Sequence, residues 1–195
     1  GRSRMAANKA KGESTFKTMV YPVIILVVIC VVCSAALAVL NDVTAPIIAA
    51  NEAAETQEAY LGVLPAGTDA ASLVTHDGLT TEGVIGAVTA PDGTIAVQAS
   101  AAGYSGNQVT LFVSFDAAGS ILNLSVDAST QTTGIGSKVA EDSFVSAFLG
   151  WNAAEPVAAG NPVDAIAGAT YSSDAVFNAL NAAITCYNTE LKGVA

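Results

Sequence analysis

The stretch best suited to chemistry is Asp164-Ala165-Ile166-Ala167-Gly168-Ala169-Thr170-Tyr171-Ser172-Ser173-Asp174, a small-residue turn with the Thr170 hydroxyl at its centre. The apolar residues that follow, Val176, Phe177, Leu180 and Ile184, recur at helical spacing and predict a helix over about 173–191. Ser172 or Ser173 suits its N-cap, because a side-chain oxygen there can accept an orphan backbone N–H. Thr170 is then expected just ahead of a helix N-terminus, where unpaired N–H groups and the positive end of the helix dipole favour an anion. Gly168 and Ala169 leave the backbone open to close approach by a bulky ligand. A plain loop-to-helix junction has the same composition.

A second glycine-rich turn, Thr130-Gln131-Thr132-Thr133-Gly134-Ile135-Gly136-Ser137-Lys138, leads toward another expected helix. Gly134 and Gly136 allow backbone N–H groups to turn inward as an anion-binding nest. Lys138 is the only Lys or Arg between residues 18 and 191. It suits a partner for negative charge, and equally a solvated first-turn lysine. The turn lacks the Gly-x-x-x-x-Gly-Lys-Ser/Thr order of a P-loop. Gly103-Tyr104-Ser105-Gly106 reads as a glycine-flanked β-turn. Cys30 and Cys33 fall one helical turn apart in an apolar run, where Cys serves as a small filler. Cys186 stands alone beyond that run, and His76 has no companion at metal-ligand spacing. No protein-only zinc, haem or iron–sulfur site is expected. Nor is there a nucleophile–base pair, a pair of catalytic carboxylates or an oxyanion motif that points to independent hydrolysis.

The elements that must position these turns follow from composition and period. Of 195 residues, 52% are hydrophobic and only 12% charged, unusual for a fully soluble protein. Residues 1–18 form a basic tail, with Arg2, Arg4, Lys9, Lys11 and Lys17 against Glu13. Residues 19–40 carry no charge. As a helix this run spans about 33 Å, enough for a bilayer core of about 30 Å. It is too long for a signal-peptide apolar region and reads as an uncleaved transmembrane helix. The basic tail predicts a cytoplasmic N-terminus, with residues 41–195 on the outer, periplasmic or extracellular, face. That outer part holds two basic residues against 16 acidic ones, a balance of −14, which excludes nucleic acid as a partner.

Residues 41–83 read as a connecting helix, to about residue 60, followed by breakers and loop. Over 84–195 the period changes to two. Strands are predicted at 84–89, 94–101, 108–116 and 120–127, mostly antiparallel because their links are short. Helices over 137–149 and 173–191 are expected to cover the sheet. The fold class is α+β: one N-terminal transmembrane helix, then an antiparallel sheet with covering helices.

The turn around Thr170 resembles the flavinylation motif of the FMN-binding domain family, approximately Asp-x-x-Ser/Thr-Gly-Ala-Thr-x-Ser/Thr. Asp164, Gly168, Ala169, Thr170 and Ser172 match, and Ala167 stands where the family has a hydroxyl. The resemblance implies that Thr170 carries FMN covalently through a phosphoester. Asp164 would position that acceptor or cap the turn. Gly103-Tyr104 and the segment from Gln131 to Gly136 resemble a second block, often Glu-Thr-Pro-Gly-Leu-Gly. Thr132, Gly134 and Gly136 match, while Gln131 and Thr133 replace Glu and Pro. Tyr104, Thr132, Thr133, Gly134, Gly136 and Lys138 thereby join the implied flavin site. The architecture is similar to that of the G subunits of Rnf-type complexes, which move electrons between ferredoxin and NAD and couple them to sodium or proton transport. The C subunit of the sodium-pumping NADH:quinone reductase is the related type. The implied role is electron relay without independent catalysis. Implied partners are the other membrane subunits, membrane lipid of the bacterial inner membrane, and a flavin transferase that uses FAD and a metal. A flavinylated carrier subunit of a sodium-pumping NADH:quinone reductase or of another membrane reductase is the alternative, and a non-catalytic membrane-anchored interaction domain is the alternative of another class.

Overall fold

The computed structural model describes the backbone of residues 2–193 and side chains from residue 19 onward. The side chains of the basic tail lie outside the described residues. The chain divides into two compact units, residues 1–53 and 54–195. Helix α1 (Arg2–Val63) supplies the whole described part of the first unit. Its apolar side chains, among them Ile24, Leu26, Val31 and Leu37, are exposed around the helix. Exposure of apolar groups on all sides suits lipid rather than water. Among the described residues this is the one helix long and apolar enough to cross a membrane, as expected for a single-pass anchor.

The second unit is built on a five-stranded antiparallel meander, β1 (Val74–His76), β2 (Val84–Thr89), β3 (Ile95–Ala102), β4 (Gln108–Phe115) and β5 (Ile121–Asp127), in that spatial order. Pairs such as Val97 opposite Val113 and Val113 opposite Leu124 put apolar residues on one face, as the period of two requires. Helix α3 (Thr170–Cys186) lies on that face and buries Val176, Phe177, Leu180, Ala183 and Ile184 against it. The loop expected between about residue 60 and residue 83 is wrong at 74–76, where β1 adds an edge strand. Three residues are too few to display alternation. The helix expected over 137–149 is broken. A 3-10 turn (Gly136–Ala140), the single turn α2 (Asp142–Val145) and a second 3-10 turn (Ser146–Phe148) replace it. Glu141 is extended there, and Val139, Phe144 and Phe148 are buried. A two-stranded pair, β6 (Ala158–Ala159) and β7 (Pro162–Val163), leads back to α3.

The end of α1 covers the other face of the sheet. Tyr60, Val63 and Leu64 bury against Val88, Ala96 and Phe112. The Tyr60 and Phe112 rings meet edge to face at 5.1 Å. The last carbonyls of a helix have no intrahelical donor. Here Ser114 Oγ donates to Val63 O at 2.6 Å and Asn123 Nδ2 donates to Gly62 O at 3.2 Å. Ser114 is wholly buried. At the other end of the chain Tyr187 stacks on Phe115 at 4.8 Å. The Glu190 carboxylate accepts from the Thr80 N–H at 2.9 Å, the Thr81 N–H at 2.9 Å and the Thr81 hydroxyl.

These ties can be tested by substitution. Ser114→Ala leaves a carbonyl without its donor in a dry place and lowers unfolding free energy by about 1–3 kcal/mol in a denaturant titration. The Thr81 hydroxyl and the Thr80 N–H hold the Glu190 carboxyl below its ordinary value of 4.5. A depressed folded value stabilises above the ordinary value, and that stabilisation is lost as pH falls through the folded one. Glu190→Gln therefore lowers Tm at pH 7, and the gap to the parent chain closes on acidification. A gap that does not change with pH would refute the charge-dependent clamp.

Candidate functional site

Three segments far apart in sequence enclose a cavity of about 320 Å³. Tyr104 stands on one side and Thr132, Ile135 and Gly136 on another. Gly168 to Ser172, at the start of α3, complete the wall.

The start of α3 is set by a tight turn. Ala169 N–H donates to Ile166 O at 2.9 Å, and Gly168 at the third position has φ of 80°. A type II turn requires that left-handed position, which glycine adopts without steric cost. The turn delivers Thr170 as the first helical residue, with Ala169 at the cap. Neither Ser172 nor Ser173 is the N-cap expected from sequence, because both lie inside the first turn. Ser173 Oγ accepts from Ile166 N–H at 3.0 Å and donates to Ala169 O at 3.1 Å, bracing the turn from within. Ser172 Oγ donates to Gln131 Oε1 at 2.8 Å. No side chain caps the helix, and the first backbone bond to close is Ser173 N–H to Ala169 O at 2.9 Å. The N–H groups of Thr170, Tyr171 and Ser172 have no carbonyl in helical reach. They put unused donors and the positive end of a 17-residue helix at the same end as the exposed Thr170.

Gln131 joins the three segments, a role its sequence position does not reveal. It is buried, and Oε1 accepts from Tyr104 N–H at 3.2 Å as well as from Ser172. Nε2 donates to Asn107 O at 3.1 Å and to Thr130 Oγ1 at 3.2 Å. An amide suits this place better than a carboxylate, since only an amide offers an acceptor on one side and donors on the other. Its surroundings are close enough to demand glycine. A Cβ on Gly136 would meet Ser172 Oγ at 2.6 Å, and one on Gly103 would meet Gln131 Oε1 at 2.7 Å.

Of the residues implied by the flavinylation motif and the second block, Thr170, Ala169, Gly168, Ser172, Thr132, Gly136 and Tyr104 come together around the cavity. Asp164, Thr133, Gly134 and Lys138 do not line it, and all four are exposed. The expected nest is closed on itself. Gly134 N–H donates to Ser137 Oγ at 2.8 Å, and the N–H groups of Ile135 and Ser137 both donate to Thr132 O, at 3.1 and 3.2 Å. Tyr171 and Ile135 were not assigned from sequence, yet both line the cavity. Each is a large apolar or aromatic residue beside a small-residue or glycine-rich turn, which was the available signal in the sequence, and the structure leaves both exposed.

This arrangement fits FMN. The α3 N–H groups and the Thr170 hydroxyl can hold a phosphate, while Tyr104, Tyr171 and Ile135 offer a wall for a flat ring. The volume is at the lower end of the range of roughly 300–1,000 Å³ for small-molecule sites, so part of a large cofactor stays outside. No ionisable acid or base other than the two tyrosines lines the cavity. Among the described residues no cluster of His, Cys, Asp or Glu could hold a metal ion.

Comparison with known proteins agrees with this geometry. Residues 103–185, which include every cavity residue, match the family model of the FMN-binding domain. Residues 5–63 match that of the RnfG N-terminal region. No curated protein matches the chain. Among solved structures, the C subunit of the Na(+)-translocating NADH-quinone reductase from Parabacteroides distasonis aligns with a TM-score of 0.49 at 16% identity, covering 72% of this chain and 94% of that one. The two family matches are separate along the chain and leave residues 1–4, 64–102 and 186–195 outside them. The two matches support an RnfG-like FMN-binding domain over residues 103–185, behind an N-terminal region of RnfG type.

Proposed function

We propose that this chain is the flavin-carrying relay subunit of an Rnf-type ion-translocating redox complex, with FMN attached covalently to Thr170. The observation that carries the reading is the position of the Thr170 hydroxyl. It is exposed at the head of α3, at the cavity wall, among backbone donors that the helix itself does not use. A phosphate esterified there would meet the helix dipole, with no lysine or arginine side chain on the wall to compete for it.

Bound FMN supplies the redox chemistry, and the protein supplies attachment, orientation and electrostatics. The chain's own residues bind rather than activate. The cavity wall carries no carboxylate or imidazole to take the Thr170 proton, which supports attachment by a separate flavin transferase. With FAD as donor, Thr170 Oγ would accept the FMN-side phosphorus as the phosphoanhydride bond broke, AMP would leave, and the hydroxyl proton would pass to a base of the transferase. Covalent attachment would keep the cofactor in place on an outer membrane face that has no flavin pool to replace it. The basic tail of residues 1–18 and the acidic remainder support that orientation. Partner membrane subunits would deliver and collect the electrons.

Two outcomes test the proposal. After co-expression with a flavin transferase, the denatured, gel-separated chain fluoresces as a flavin, Thr170→Ser retains the band and Thr170→Ala loses it. A band that persists in Thr170→Ala places the flavin elsewhere. Protease added from outside removes most of residues 41–195, and protection of that part in outward-permeable cells reverses the orientation.

A further inference from the structure

We propose that Tyr104 and Tyr171 form the slot that holds the planar flavin ring, with the Gln131 amide setting the width of that slot. This rests on the reading of Thr170 as the FMN attachment residue.

Tyr104 is 56% exposed and Tyr171 is 67% exposed, although aromatic rings gain by leaving water. They are not scattered singly over the surface. Their centroids lie 6.2 Å apart on the wall of the cavity that Thr170 also lines, and the planes are tilted by 54°. At that tilt the rings are not stacked on each other, both residues are largely exposed, and Tyr171 directly follows the attachment residue.

Three rings in parallel contact need about 7 Å between the outer two, at ~3.5 Å per contact. At 6.2 Å and 54° the pair must open by about 1 Å and turn toward parallel to admit a ring, and exposed side chains adjust their rotamers within picoseconds to nanoseconds. The backbones beneath the rings have less freedom. Gln131 Oε1 takes the Tyr104 N–H at 3.2 Å and the hydroxyl of Ser172, next to Tyr171, at 2.8 Å. One buried oxygen thus ties the bases of both tyrosines. The electron-rich ring faces disfavour added negative charge on a flavin between them, so the slot holds the flavin's midpoint potential down.

The test uses the full-length chain in detergent, co-expressed with a flavin transferase, as Tyr171→Leu, Tyr104→Leu and Tyr171→Phe. Intact mass reports the FMN adduct, while flavin fluorescence, visible circular dichroism and midpoint potential report contact with the ring. With the adduct present, either leucine variant gains fluorescence severalfold, loses the induced dichroism and shifts the potential upward. Tyr171→Phe keeps the dichroism because it keeps the flat face. Unchanged fluorescence and dichroism in a leucine variant that carries the adduct overturn the slot and leave the FMN reading intact. An unmodified chain without adduct overturns both. Tyr104→Leu lies outside the Thr170 turn, and it decides the matter even where Tyr171→Leu hampers attachment.

Discussion

A buried amide must satisfy both its ends, because an unpaired polar group away from water costs more than a hydrogen bond gains. Gln131 meets that requirement only when three separate pieces of chain converge. Its oxygen needs the Tyr104 N–H and the Ser172 hydroxyl, and its nitrogen needs the Asn107 carbonyl and the Thr130 hydroxyl. The cavity is the space left beside that knot. Gly103 and Gly136 lack a side chain because Gln131 and Ser172 occupy the volume one would take.

The sheet supplies what the knot cannot, a rigid support. Helix α3 is long enough to bury one face across β3 and β4, so its first turn is held by packing a dozen residues away. The end of α1 covers the opposite face, with Ser114 and Asn123 closing its last carbonyls. Glu190 then ties the C-terminal turn to the residues that enter β2. Thr170 can be exposed and still well placed because everything behind it is fixed.

Division of labour explains the chemistry that is missing. The cavity offers donors, a hydroxyl and aromatic surface, but no carboxylate, imidazole or metal-binding cluster among the described residues. Under the proposed reading such a site would hold a reactive group made elsewhere. An exposed cofactor suits a relay that passes electrons between partners, whereas a deep, acid–base-equipped cleft suits a substrate.

Much was legible in the sequence. The apolar run of 19–40, the alternation in β2 to β5 and the small-residue turn before α3 are local patterns with periods of 3.6 or two, and they appear where those periods place them. The broken helix over 136–148 and the short β1 were not legible, since buried Phe144 and Phe148 and a partner strand decide them. Thr170 was identified from its motif, but its place as the first helical residue came from the Gly168 turn and the Ser173 brace. Lys138 and Gly134 shared a promising turn, yet the cavity lies on its other side. Sequence alone determined the anchor, the strand pattern and the hydroxyl proposed as acceptor, because each depends on neighbours along the chain. Tertiary structure alone decided that Gln131 meets Ser172 across 41 residues and that Tyr104 faces Tyr171, because such contacts depend on how the sheet brings distant turns to one end.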